Sequence, residues 1–244
     1  MTFHLTPELR EYVETAIIPR YETFDAAHRQ DHVMTVIDNS LRLAAQFAEV
    51  DVDMVYAIAA YHDLGLSQDR NTHHLLSGHI VRTDPELHRW FTPQQIETMA
   101  QAVEDHRASS DHEPRSIYGR LVAEADRNID IDVIITRTLQ YSFAHYPELD
   151  RDGHIDRTLQ HLHEKYGPHG YLKLWIPGSD NERELHRLWQ LMDKESAIRA
   201  LVNRHYDELV SLTLSSDSRV FAWHVPWSLS AWAGRCVPRC RLRR

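Results

Sequence analysis

Val55-Tyr56-Ala57-Ile58-Ala59-Ala60-Tyr61-His62-Asp63-Leu64-Gly65 is the stretch from which the rest of the chain can be read. An uncharged run ends abruptly in a histidine and a carboxylate. The run reads as a helix that begins near Asp51 or Val52 and sets Val55, Ile58 and Ala59 on its inward stripe. Gly65 marks its end or a turn just beyond. His62 lies four residues after Ile58 and seven after Val55, so it falls on the buried stripe. Asp63 is turned about 100° away. A buried imidazole beside a carboxylate at a helix end is able to share one divalent cation; a cap or a simple hydrogen bond is the other reading of the dipeptide alone.

Helical periodicity continues on both sides. Thr6-Pro7-Glu8 reads as N-cap, first-turn proline and a favourable acid, opening a helix towards Pro19. A helix from Gln30 carries Val33, Val36, Ile37, Leu41 and Ala44 on one face. Residues 72–83 read as helical with Leu75, Leu76 and Ile80 inward. Thr92-Pro93 opens a helix with Ile96, Met99, Ala100 and Val103 inward, and a polar loop follows at 108–115. Ile117 to Asp126 puts Tyr118, Leu121, Val122 and Ala125 on one face. Residues 131–145 form another helix, and after turns at 167–178 helix is expected from Asn181 to Leu214. No alternating strand, hairpin signature, repeat or low-complexity segment occurs, so the fold class is all-α.

The composition of the 244 residues narrows the functional classes. A net charge of −9 makes a poor general match to a nucleic-acid backbone, so DNA binding is not expected. All 36 acidic residues lie at or before Asp217 and six arginines lie after it, which leaves −15 on residues 1–217 and +6 on 218–244. The only cysteines, Cys236 and Cys240, fall in that tail, which excludes a disulfide scaffold or a zinc finger. The first residues lack an apolar core behind a basic end, and no run of about 18 apolar residues occurs. A cytoplasmic protein without a membrane span is the expectation. The 18 histidines direct attention to metal chemistry.

Several ionisable side chains share apolar faces. His32 lies four residues before Val36, His79 four after Leu75, His106 three after Val103, and Asp126 four after Val122. With His62 and Asp63 they are expected to point into the protein or its cleft. Burying so many such groups without partners would be costly. A metal centre removes that cost by keeping carboxylates ionised and imidazoles neutral.

Three segments carry a family likeness: His28-Arg29-Gln30-Asp31-His32, Tyr61-His62-Asp63-Leu64-Gly65 and Glu124-Ala125-Asp126-Arg127. Their pattern of an early histidine, a His-Asp pair and a later aspartate resembles the HD-domain metal-dependent phosphohydrolases. The resemblance is to the bacterial single-domain type, over a core motif at 28–130 with distal helices to about residue 213. It implies an HD-type helical hydrolase domain over 1–217, a bundle with its metal site in an interhelical cleft, and a separate tail at 218–244. His32, His62, Asp63 and Asp126 would ligate one metal, and His79 and His106 fall where some members hold a second. One or two divalent ions per chain are implied, with Mn, Fe, Co, Ni or Zn favoured over Mg by the imidazole donors.

The implied reaction is hydrolysis of a small phosphate ester, a nucleotide among the candidates. Asp63 is the expected central catalytic group. Asp105, with Glu104 and Asp69 behind it, is a candidate for proton transfer. Arg29, Arg107 and Arg127 are candidates to neutralise substrate phosphate. His28 and His73 are left as substrate contacts, and the remaining histidines as bystanders. The Gly-Tyr-Pro signature of the cyclic-dinucleotide branch is absent. Two rivals stand beside the hydrolase: a di-iron oxygenase on an HD-type scaffold, and a non-catalytic metal- or ligand-binding regulatory module. A homo-oligomer is left open. The basic tail reads either as a surface- or partner-binding segment or as the product of a shifted reading frame.

Overall fold

A computed structural model describes residues 4–24, 30–69, 71–108, 110 and 112–215. The expectations for Arg29, His28 and the 218–244 tail lie outside the described residues. Among the described residues ten α-helices account for most of the structure, and no strand occurs. They are α1 (Pro7–Tyr12), α2 (Gln30–Ala44), α3 (Val52–Tyr61), α4 (His73–Thr83), α5 (Pro93–Glu104), α6 (Ile117–Ala125), α7 (Ile131–His145), α8 (Arg151–Tyr166), α9 (Asp180–Met192) and α10 (Glu195–Ser215).

Side-chain caps start most of these helices. Asp51 accepts from the backbone of Asp53 and Met54 at the head of α3. Thr92 and Gln95 form a reciprocal capping box on α5. Ser116, Asp130, Asp150 and Ser179 each accept from the amide three residues on. The N-terminal helix departs from expectation. Thr6 makes no cap; its hydroxyl donates instead to Asp53 at 2.6 Å. After Tyr12 the chain becomes a π turn at Val13–Ile17 and then a 3₁₀ segment at Ile18–Thr23. Pro19 brings no amide hydrogen to an α ladder, so the bonding pattern shifts around it.

The packing falls into two cores. The first gathers Leu9, Val33, Val36, Val55, Ile58, Met99, Val103, Leu121 and neighbours from α1–α6. The second gathers Ile135, Leu139, Ile155, Leu162, Leu188, Ile198 and Val202 from α7–α10. Ile176, from the irregular segment before α9, packs into the first core. Glu124, fully buried on α6, ties that segment down: it accepts from the Trp175 amide at 2.7 Å and the Ser179 hydroxyl at 2.6 Å. Asn181 reinforces the seam by donating to the carbonyls of Glu124 and Arg127.

Two expectations need correction. The run from Asn181 to Leu214 is two helices, broken at Asp193-Lys194, where the Lys194 carbonyl starts α10 by accepting from Ala197 and Ile198. On α4 the inward face is Ser77, Gly78 and Val81, whereas Leu75 is 52% exposed. No helix of the described residues is long and apolar enough to cross a membrane.

Candidate metal centre

The site forms where five segments end against one another. α3 stops at Tyr61, and His62 and Asp63 occupy the turn that follows, Asp63 at φ −111°, ψ 6°. The buried Tyr21 hydroxyl holds this turn, donating to the Ala60 carbonyl at 2.9 Å and accepting from the Asp63 amide at 3.3 Å. The next turn is fixed by the Gly65 amide, which donates to Ser77 of α4 at 2.8 Å. His32 comes from the first turn of α2, His73 from the first residue of α4, His106 from just past α5, and Asp126 from the residue after α6.

The Asp63 carboxylate sits at the centre, with a different set of imidazoles on each oxygen. Oδ2 lies 3.3 Å from His62 Nε2 and 3.8 Å from His32 Nε2. Oδ1 lies 3.3 Å from His73 Nε2 and 3.4 Å from His106 Nε2. Asp126 closes the first set, its Oδ1 3.2 Å from His32 and 3.8 Å from His62. His32, His62 and Asp63 thus make one group able to hold a cation, and Asp63, His73 and His106 a second.

The donors fit a divalent transition metal. His62 Nδ1–H donates to the Ala59 carbonyl at 2.7 Å and His106 Nδ1–H to the Val103 carbonyl at 2.6 Å. Those bonds fix the tautomer and leave each Nε2 lone pair facing Asp63, as in a ligating histidine whose other ring nitrogen is held by a backbone carbonyl. His62 Nε2 is buried with no hydrogen-bond partner. Two donors bound at about 2.1 Å to one ion lie roughly 3.0–3.4 Å apart, close to the separations within each set.

The electrostatics agree. Burial opposes charge on His62, yet Asp63 and Asp126 overcome it and raise the imidazole to about 9. Burial likewise opposes ionisation of Asp63, but His62 and His106 hold it well below the usual carboxylate range. Asp126 is lowered against burial by its bond to His32 and by His62. Carboxylates that draw a proton onto a buried imidazole will also draw a cation into its place.

The structure brings together His32, His62, Asp63, His106 and Asp126, and leaves other candidates out. His79 is exposed on the outer face of α4 and lies outside the cluster. It shares the phase of Leu75, and that face points to solvent. His73, treated as a bystander or substrate contact, takes the inward position. The signal for it was a weak one, since His73, Ser77 and Val81 form a single stripe of which only valine is apolar. Asp105 is corrected too. It is buried, and its carboxylate accepts from the Arg115 amide at 2.7 Å, from Arg115 Nε at 3.0 Å and from Arg115 Nη2 at 2.8 Å, so it holds Arg115 in place and is absent from both metal-ligating groups of the described residues. Glu104 is similarly occupied by Arg82 and Arg115. Asp69 holds the amides of Asn71 and Thr72 ahead of α4. Arg107 donates to the Asn71 carbonyl at 2.7 Å, beside His73. Arg127 lines a separate cleft.

A family model described as HD domain matches residues 29–128. No curated protein matches the sequence. Among solved structures, a predicted HD superfamily hydrolase from an uncultured Thermotogales bacterium is 23% identical, covers 62% of this chain and 85% of its own, and superposes with a TM-score of 0.44. The matched residues include all six members of the His/Asp cluster, and the chain is a helical protein whose residues 29–128 are similar to the HD domain.

Proposed function

We propose that this protein is a metal-dependent phosphohydrolase that acts on a small phosphate ester and holds two transition-metal ions. The observation that carries this reading is the placement of Asp63, with one oxygen facing His32 and His62 and the other facing His73 and His106. A shared carboxylate between two nitrogen-rich sets suits a pair of cations such as Mn, Fe, Co, Ni or Zn better than Mg. Such cations polarise phosphoryl oxygens and make water nucleophilic near neutral pH.

The chain's own groups prepare the site for that chemistry. The carbonyls of Ala59 and Val103 lock the His62 and His106 rings. Tyr21 and Ser77 hold the turns on either side of Asp63, so the central carboxylate is in position before substrate arrives. Arg107, hydrogen-bonded to Asn71 next to His73, supplies a cation for the phosphate of the ester.

The test is metal analysis of chelator-free protein together with turnover on a panel of phosphomonoesters, nucleotides and cyclic dinucleotides. About two transition metals per chain are expected, with phosphate release abolished in Asp63→Ala and reduced in His73→Ala. Absence of bound metal, with no activity on adding Mn or Ni, defeats the reading. Oxygen uptake by ferrous protein without phosphate release would replace it with the oxygenase.

A further inference from the structure

Asn181, in the first turn of α9, spends its side chain on a turn that belongs to another helix. Its Nδ2 donates to the Glu124 carbonyl at 2.8 Å and to the Arg127 carbonyl at 2.7 Å. Its Oδ1 accepts from the Ile129 amide at 3.2 Å. Both protons of the side-chain amide are used, and its oxygen as well. The two carbonyls bracket Asp126, the residue at which α6 ends. Carbonyls at a helix C-terminus lack donors further along the helix, so a side chain that supplies them decides how the turn is finished. Within α6 the Glu124 carbonyl also accepts from the Arg127 amide, at a longer 3.2 Å.

Asp126 inherits its aim from that turn. Its Oδ1 lies 3.2 Å from His32 Nε2 and 3.8 Å from His62 Nε2, beside the imidazoles that face Asp63 Oδ2. Only χ1 and χ2 separate an aspartate carboxylate from its backbone, so a displaced turn carries the oxygens with it. Metal–ligand distances hold to within about 0.2 Å of their ordinary values, which leaves little room for such a shift. The neighbouring residues of α6 are tied in the same way. The buried Glu124 carboxylate accepts from the Trp175 amide and the Ser179 hydroxyl, and Asn39 of α2 donates to the Ala125 carbonyl at 3.4 Å. Trp175, Ser179 and Asn181 all lie beyond residues 29–128, the segment similar to the HD domain.

We infer that Asn181 is a positioning residue for the metal centre: from α9 it fixes the turn that aims the Asp126 carboxylate at the ion shared with His32, His62 and Asp63. The inference rests on the metal-binding reading above. The distal helices thereby shape one half of the site, although both groups of candidate ligands lie within residues 29–128. Groups that orient a ligand from behind in this manner are worth about 10–100-fold in metal affinity.

The test is a double-mutant cycle on Co²⁺ binding, measured by equilibrium dialysis of metal-stripped full chains with the visible absorption of bound Co²⁺ recorded alongside. Asn181→Asp keeps the acceptor for Ile129 and suits the first turn of a helix, but it removes both donors. It should weaken one of the two ions by about tenfold or more and leave the other unchanged. In an Asp126→Ala background the same substitution should change Co²⁺ affinity by less than about twofold, because the group it acts through is gone. Equal losses in the two backgrounds, unchanged affinity, or both ions weakened alike overturn the inference. Leu188→Ala, at a fully buried position of the same helix, loosens the second core without touching the turn and should keep both ions; a loss matching that of Asn181→Asp would make the role one of general stability and also overturn the inference. Should Asn181→Asp fail to fold, Asn181→Ala enters the same cycle under the same criteria. A wild-type chain that takes up no Co²⁺ defeats the metal-binding reading itself and this inference with it, whereas wild-type uptake unaffected by Asn181→Asp defeats this inference alone.

Discussion

Gly65→Ala tests how the second half of the metal centre is built. A Cβ at Gly65 would lie 2.1 Å from the His73 carbonyl oxygen and 2.8 Å from both the Ser77 amide nitrogen and Leu76 Cβ. The first two are backbone atoms of α4 and cannot swing aside, so the first turn of α4 must retreat by about 1 Å to reach ordinary contact. Overpacking of that kind costs roughly 1–3 kcal/mol. Stretching the Gly65–Ser77 hydrogen bond adds about 1 kcal/mol. The sum, about 2–4 kcal/mol, is less than the ~5–15 kcal/mol stability of most domains, so the variant should fold. His73 moves with α4, away from Asp63 Oδ1 at 3.3 Å. Metal–ligand distances hold to within about 0.2 Å of their ordinary values, so the second ion of the proposed pair should be lost. His32, His62 and Asp126 come from α2 and from just after α3 and α6, and should keep the other. Urea unfolding and elemental analysis read the two effects: a lower midpoint, and a fall from about two ions per chain to about one. A stability change below about 0.5 kcal/mol would refute the packing argument. Lost stability with both ions retained would refute the link between Gly65 and His73.

Exchanging histidines on α4 gives a direct contrast: His79→Ala should leave metal content unchanged and His73→Ala should lower it, and equal losses in elemental analysis would contradict the assigned faces. Asp105→Asn should destabilise the fold by about 1–3 kcal/mol, discounted because Arg115 is partly exposed, with metal content intact; chemical denaturation with parallel metal analysis checks it, and lost metal without lost stability would return Asp105 to the site. His161 on α8 carries a pH signature, since burial, then Lys165 and Arg157, lower it from 6.5 to about 4. The unfolded chain therefore takes up this proton first, and the stability that neutral His161 contributes is complete above pH 6.5 and drains away as pH falls towards 4. At about 1.4 kcal/mol per pH step the ceiling is roughly 3 kcal/mol, and about 1–2 kcal/mol after allowing for solvent. The stability gap between wild type and His161→Gln should thus narrow between pH 7.5 and pH 4.5 in urea titrations, and a constant gap would exclude the effect.

Legibility in the sequence followed the kind of contact each residue makes. α2, α3, α5 and α6 bury large aliphatic side chains at helical spacing, and α3, α5 and α6 begin at side-chain caps, so their phase is readable from the chain alone. His32, His62, His106 and Asp126 could be placed because each lies on or just beyond such a stripe, and the structure gathers them around Asp63. Asp105 could not, because the group that occupies it, Arg115, lies across a loop. No periodicity records such partners.

The second set of ligands was hidden by the same requirement that creates it. For His73 to reach Asp63 Oδ1, α4 must pack closely against the turn after α3, and closeness demands small inward residues. A Cβ at Gly65 would strike the His73 carbonyl, and one at Gly78 would lie 2.7 Å from Glu104 Cγ and 3.1 Å from the Ala100 carbonyl of α5. Ser77 faces inward because its hydroxyl receives the Gly65 amide. The inward face of α4 is therefore serine and glycine with one valine, while leucine points to water. A reading that follows apolar residues selects the Leu75 phase and with it His79. Helices held apart by large side chains declare their faces; a helix drawn close enough for its backbone to set a ligand does so with residues that carry little hydrophobic signal. In such packing, the histidine in phase with inward Gly and Ser is the better ligand candidate than the histidine in phase with leucine.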